Sequence, residues 1–117
     1  MIEVTLRNYL LTGLQDVPVV MEQPKNPPGK YVLLQVLDAG RINHIDAVTF
    51  NVVVIAGNLY DAAALRDDVK DLLFEAIKLE EISHVSIGGE RAGTDSANHV
   101  YTYELTFNFY YYREETQ

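Results

Sequence analysis

Strict alternation of apolar and polar residues marks the chain between residues 101 and 111. One set of alternate positions is aromatic or aliphatic: Tyr101, Tyr103, Leu105, Phe107, Phe109 and Tyr111. The set between them is mostly polar: Thr102, Glu104, Thr106, Asn108 and Tyr110. Because a β-strand sends successive side chains to opposite faces, this pattern predicts a long strand with one apolar wall. Such a strand needs other strands for its backbone and helices to cover its wall.

Two other stretches have the spacing of amphipathic helices. Residues 2–14 carry apolar side chains at 2, 6, 9, 10 and 14, and we expect this helix to end near Gly13. Residues 59 to about 79 carry them at 62, 65, 69, 72, 73, 76 and 77. Asn58 is the expected N-cap of this second helix, and Asp61 in its first turn suits the helix dipole.

The remaining segments predict strands and connectors. Strands are expected at 17–22, 31–37, 45–56 and 83–87, with a turn at 38–41 and a flexible polar loop at 88–96. Residues 23–29 hold three of the four prolines and predict a stiff, exposed connector, or less simply an SH3-type ligand. The expected fold is α+β, a single domain over 1–117 with a mainly antiparallel sheet and two α-helices packed on one face.

Composition narrows the possible classes of protein. The chain is 48% hydrophobic and 22% charged, as in a globular domain, and has no cysteine for a disulfide, a thiolate metal site or a thiol nucleophile. No apolar run approaches 18 residues and the N-terminus has no signal-peptide pattern, so we expect an unexported soluble chain with no membrane partner.

The net charge of −8 argues against binding of nucleic acid through its phosphates, since the basic residues are scattered singly. Residues 58–81 hold seven acidic and three basic residues, which is half of the excess negative charge. This acidity either keeps the surface soluble or repels phosphate.

Catalytic motifs are absent from the sequence. His44, His84 and His99 have no spacing typical of metal ligands, and the glycine-rich stretch 88–93 lacks the GK[ST] ending of a phosphate-binding loop. Asp67, Asp68 and Asp71 could hold a divalent cation, but a solvated helix face explains them more simply. We therefore expect no enzymatic activity, no metal and no cofactor.

Tyrosines near the C-terminus have two interpretations. Tyr110 and Tyr112 lie on the face opposite the apolar wall and next to Arg113, a combination that protein interfaces favour. They could equally cover the second face of the sheet. A long, partly apolar sheet face also needs protection from random association, which an oligomer provides.

The order of elements and several stretches resemble the tail terminator family of long-tailed bacteriophages, the tail-completion or head-tail joining proteins often grouped with minor capsid proteins. The similar stretches are IEVTLRNYLLTGL, KYVLLQVLDAGRINHIDAVTFNVVVIAG, the acidic LYDAAALRDDVKDLLFEAI and HVYTYELTFNFYYY. They span nearly the whole chain as a pattern of elements, without a signature motif.

The resemblance implies a virion protein of the tail or neck, made in the host bacterial cytoplasm. Copies would form a ring, in this family a hexamer, that caps the tail tube, joins it to the head connector proteins and lets DNA pass without specific binding. Asp67, Asp68, Asp71 and Glu75 are then candidates for an acidic channel face. Pro27, Pro28, Glu90 and Arg91, placed in the two expected loops, are interface candidates together with Tyr110, Tyr112 and Arg113.

Two alternatives fit the same elements. A head-side connector or stopper ring belongs to the same structural class and has no distinguishing sequence feature. A dimeric ACT-like regulatory domain would bind a small molecule at its subunit interface, and a metabolite should stabilise it thermally. An enzyme would require the scattered histidines and acids to converge.

Overall fold

A computed structural model describes residues 2–42, 45–79, 82–95 and 98–112, with the side chains of 41, 42, 77 and 112 outside the description. Its helices are α1 (Ile2–Leu14), α2 (Leu59–Glu75) and a short 3₁₀ turn (Ala76–Lys78). Its strands are β1 (Val19–Val20), β2 (Tyr31–Ile42), β3 (Ile45–Ala56), β4 (Ile82–Asp95) and β5 (Val100–Tyr112). The molecule is elongated, 51 × 25 × 24 Å, because four strands of 12 to 14 residues run along its length.

The five strands form one sheet in the order β1-β2-β3-β5-β4. All neighbours are antiparallel except β1 and β2, which pair in parallel at two positions. The predicted α+β fold with a mainly antiparallel sheet is thus confirmed. The parallel pair was not anticipated, and it arises because the connector after β1 carries the chain back before β2 begins.

Strand β5 pairs along its length with β3 on one side and β4 on the other. Its predicted apolar wall is buried at Leu105, Phe107 and Phe109, each fully inaccessible to solvent. The rings of Phe107 and Phe109 lie 6.1 Å apart, and Phe50 of β3 meets Phe109 edge-on at 5.8 Å. This aromatic row forms the centre of the core.

Both helices cover one side of the sheet, which we call the helix face; the opposite side is the open face. Helix α1 buries Ile2, Leu6 and Leu10, and α2 buries a longer stripe, all in one cluster with the strand residues. The stripe of α2 is Ala62, Leu65, Val69 and Leu73. Asn58 caps α2 as predicted, its Oδ1 accepting a hydrogen bond from the Asp61 N–H at 2.8 Å.

Helix α1 ends at Leu14, one residue past Gly13 and as predicted, but Gly13 is not the residue that stops it. It is the penultimate residue of α1, and the left-handed backbone that follows is adopted by Gln15 and Asp16. A Cβ on Gly13 would lie 2.6 Å from a Leu72 methyl group, so glycine permits the close approach of α1 to α2. At the same contact the Tyr9 hydroxyl donates a hydrogen bond to the Leu72 carbonyl at 2.8 Å.

Two predicted irregular segments are strands. The turn expected at 38–41 lies inside β2, and most of the loop expected at 88–96 lies inside β4. The register of β2 shifts between Val36 and Asp38, and that of β4 shifts twice, between Ile82 and His84 and between Ile87 and Gly89. Such bulges accommodate an extra residue without ending the strand, and hydrogen bonds to β3 and β5 outweigh the turn preference of glycine and aspartate.

Candidate functional site

Helix α2 presents an acidic surface to solvent, which we call the acidic α2 face: Asp67, Asp68, Asp71 and Glu75. All four side chains are exposed, because the buried stripe occupies the other side of the helix. Arg66 Nη2 lies 2.9 Å from Asp67 Oδ1, and Lys78 Nζ lies 3.9 Å from Glu75 Oε1. The hydrogen bond to Asp67 is the main cause that raises the pKa of Arg66. The structure therefore brings the four predicted acids together on one surface.

Metal binding has no visible basis in this region. No group of three or more His, Asp or Glu side chains is arranged to hold a metal ion within the described ranges. His84 instead lies with its ring 5.5 Å from that of Tyr110, and His99 has a left-handed backbone near the end of the β4–β5 hairpin. His44 falls outside the described residues. None of the helices in the described ranges is long and apolar enough to cross a membrane.

Glu90 joins the sheet to α2. Its carboxylate lies 3.0 Å from Lys70 Nζ and 3.5 Å from Arg66 Nε, and the Arg66 guanidinium stacks over the Tyr103 ring at 4.5 Å. All these groups remain partly exposed, so each ion pair contributes well under about 1 kcal/mol in isolation. The network ties the long edge strand to the helix above it.

Arg91, the next residue, serves the opposite side of the sheet. Arg91 Nη2 lies 2.5 Å from Glu104 Oε2 across the β4–β5 ladder. This pair borders a shallow open-face hollow lined also by Leu37, Asn51 and Thr106. Glu90 and Arg91 thus occupy a strand instead of the predicted loop and act on different faces, because adjacent strand residues alternate.

The other interface candidates are distributed around the molecule. Pro27 and Pro28 are exposed in the predicted connector, which precedes β2 near one edge of the sheet, whereas β4 forms the other edge. Tyr110 lies on the open face, is 39% exposed and stands one strand in from β4. The Tyr112 side chain and Arg113 are outside the described residues.

Several apolar residues are exposed at positions that the sequence pattern did not single out. On β2, Val36 is 45% exposed and Leu37 is 58% exposed. At the other side of the sheet, Ile87 of β4 is 36% exposed and Phe74 of α2 is 42% exposed. Phe74 lies outside the buried stripe of α2. An apolar residue at such a position in the helical repeat predicts an exposed apolar side chain, and this was the signal in the sequence. Its ring still meets Phe107 edge-on at 5.3 Å.

Comparison with known proteins gives a structural match only. No protein-family model matches the sequence, and no curated protein matches it significantly. Chains of solved structures do match, 25 of them significantly. One belongs to a structure titled "Virion of native gene transfer agent (GTA) particle", with a TM-score of 0.61 and 21% identity. The match covers 91% of this chain and 83% of that chain, so the two share a fold over nearly their whole lengths.

Proposed function

We propose that the chain is a structural virion protein, a tail terminator or tail-completion subunit that assembles into a ring. The ring, a hexamer by resemblance to the tail terminator family, would cap the tail tube and join it to the head connector proteins. No catalytic role enters this proposal. The observation that carries it is the fold shared with a chain of a virion particle over 91% of the present chain.

The surfaces of the molecule support assembly with other proteins. Strand β4 is 14 residues long and lies at one edge of the sheet, and Gln35–Gly40 of β2 are exposed near the other edge. Exposed edges of this length pair readily with further strands. Exposed apolar residues accompany both edges, as subunit contacts require.

The acidic α2 face supports passage of DNA without adhesion. Its exposed carboxylates repel a polyanion, and a ring that presents several copies of this face multiplies the field in its channel. We therefore place Asp67, Asp68, Asp71 and Glu75 toward the channel. Particles carrying Asp71→Arg should then release DNA more slowly than particles carrying Glu22→Arg, a matched charge reversal in the exposed segment after β1.

The decisive genetic test is removal of the coding sequence from the element that encodes the chain. A cap would stop the addition of tube subunits and would connect the tail to the head. Its loss should therefore give tail tubes of irregular length, and heads and tails that are not joined. Electron microscopy measures both outcomes, and a plasmid copy should restore joined particles. Intact particles of normal tail length without the chain would refute the proposal, whereas full heads that leak DNA would favour the head-side stopper.

A further inference from the structure

We propose that neighbouring subunits join edge to edge, with β4 of one copy pairing in antiparallel orientation with β2 of the next. This inference rests on the proposed ring and names the surfaces that build it. The occupant of the β4 edge is thus a second copy of this chain, in a head-to-tail arrangement. Such heterologous contacts generate closed rings when the rotation between copies closes.

Strand directions satisfy this arrangement. Strands β2 and β3, β3 and β5, and β5 and β4 are each antiparallel, so β4 and β2 run in opposite directions. A neighbour placed with its β2 beside β4 therefore continues the antiparallel sheet. Within the described residues β1 covers β2 only at Val32 and Leu33, which leaves the outer side of β2 from Gln35 onward available.

The exposed apolar residues of the two edges share one row of the sheet. Val36 is in register with Phe50, Phe50 with Phe107, and Phe107 with Ile87. Since directly paired residues project to the same side, Val36 and Ile87 both lie on the helix face, at opposite edges. In a continuous sheet the neighbour's Val36 comes beside Ile87 and Phe74, and the exposed apolar surface of each edge is covered by the other.

One bulge in each of the two strands borders the row of Val36 and Ile87. The register of β2 shifts immediately after Val36, and that of β4 shifts immediately after Ile87. A bulge normally discourages pairing with a regular strand. Because the two strands run in opposite directions, the extra residue of β2 lies on one side of the Val36–Ile87 row and that of β4 on the other, so pairing across this row itself stays regular.

Charge also favours the head-to-tail arrangement over a two-fold pairing of β4 with itself. Residues 58–95, which supply α2 and β4, contain nine acidic and four basic residues, whereas residues 1–42 contain four of each. Pairing β4 with β4 would bring two acidic sides together, which costs free energy.

Cysteine cross-linking tests the pairing directly, because the chain contains no native cysteine. Paired strand residues lie about 4.5–5.5 Å apart at Cα, within the range a disulfide spans. A chain carrying both Val36→Cys and Ile87→Cys should form a ladder of covalent oligomers on oxidation, with loss of the monomer band on a non-reducing gel. Ala39→Cys combined with Val85→Cys tests the adjacent helix-face row in the same way, because Ala39, Val48, Phe109 and Val85 are in register.

Three controls make the outcome specific. Each single-cysteine variant should stay monomeric under denaturing conditions, since the two thiols of one contact come from different edges. Gln35→Cys with Ile87→Cys should give no ladder, because Gln35 is also exposed but projects to the open face. Far-UV circular dichroism of each variant before oxidation checks that the sheet is intact.

The contradictory results separate the two proposals. Covalent dimers from Ile87→Cys alone would show β4 pairing with itself and overturn the head-to-tail edge contact. No ladder from either double variant, with a native ring present, would overturn the edge contact and leave the ring standing. No ladder together with a wild-type monomer at every concentration would overturn the edge contact and also count against a self-assembling ring.

Discussion

Replacing Phe107 with alanine should cost far more stability than replacing Phe74, although the two rings touch. Phe107 is fully buried between Phe74 and Phe109, whereas Phe74 is 42% exposed. A fully buried Phe→Ala change costs about 3–5 kcal/mol through lost transfer free energy and a residual cavity. Phe74 loses a little more than half as much buried surface, so its cost should be about 2 kcal/mol.

Urea unfolding followed by circular dichroism measures both changes. The free energy of unfolding of a domain is about 5–15 kcal/mol, so Phe107→Ala removes a large fraction of it and Phe107→Leu, which keeps most of the volume, much less. The measurements belong at low protein concentration, because assembly adds stability by mass action. Equal costs for Phe74 and Phe107 in the monomer would refute the placement of the core at the β5 aromatic row.

Three further changes test local features. Asn58→Ala should lower the free energy of unfolding by about 1 kcal/mol by removing the α2 cap, while Asn58→Ser should retain most of it, as thermal melts will show. Burial, and secondarily the Glu75 carboxylate, raise the pKa of Tyr9. The folded chain therefore binds the phenol proton more tightly than the unfolded chain does. The resulting contribution to the free energy of unfolding is complete below pH ~10 and is lost as the pH rises through the pKa of the folded state. In unfolding measured as a function of pH, Tyr9→Phe should reduce the fall in the free energy of unfolding at alkaline pH. An unchanged slope of that free energy against pH would exclude Tyr9 as the source of the fall. Tyr110→Ser should weaken self-association in sedimentation velocity while leaving the far-UV signal unchanged, and unaltered association would remove Tyr110 from the interface.

Periodicity predicted the elements whose side chains alternate or repeat most regularly. The apolar wall of β5, the long β3 and the capped α2 all lie where the sequence placed them. In each of these elements the repeat extends over many residues and contains no strong turn signal. Packing and local propensity therefore favour the same secondary structure. The acidic α2 face followed from the same helical spacing, since its four carboxylates occupy positions that the buried stripe leaves free.

Local turn signals misled where a long ladder competed with them. Asp38 and Gly40 suggested a turn, and Gly88 and Gly89 a loop, yet these residues lie in β2 and β4. At these positions the hydrogen bonds to the neighbouring strand determine the conformation. The turn preferences of single residues carry no information about that pairing. The same error placed Glu90 and Arg91 in a contact loop, when one braces α2 and the other pairs with Glu104.

The two sheet edges could not be identified from the sequence either. Which strands stand at the edges depends on strand order, and β5 inserts between β3 and β4 although it comes last in the chain. Only this order reveals that Val36 and Ile87, 51 positions apart in sequence, occupy the same row at opposite edges.

Native mass spectrometry across a concentration series tests the ring most directly. If the chain forms a hexameric ring, we expect a dominant species of six chains, each of 13.2 kDa, that grows with concentration at the expense of the monomer. A stable dimer with no larger species would contradict it, because head-to-tail contacts cannot close with two copies in this arrangement, and would favour the regulatory-domain alternative instead.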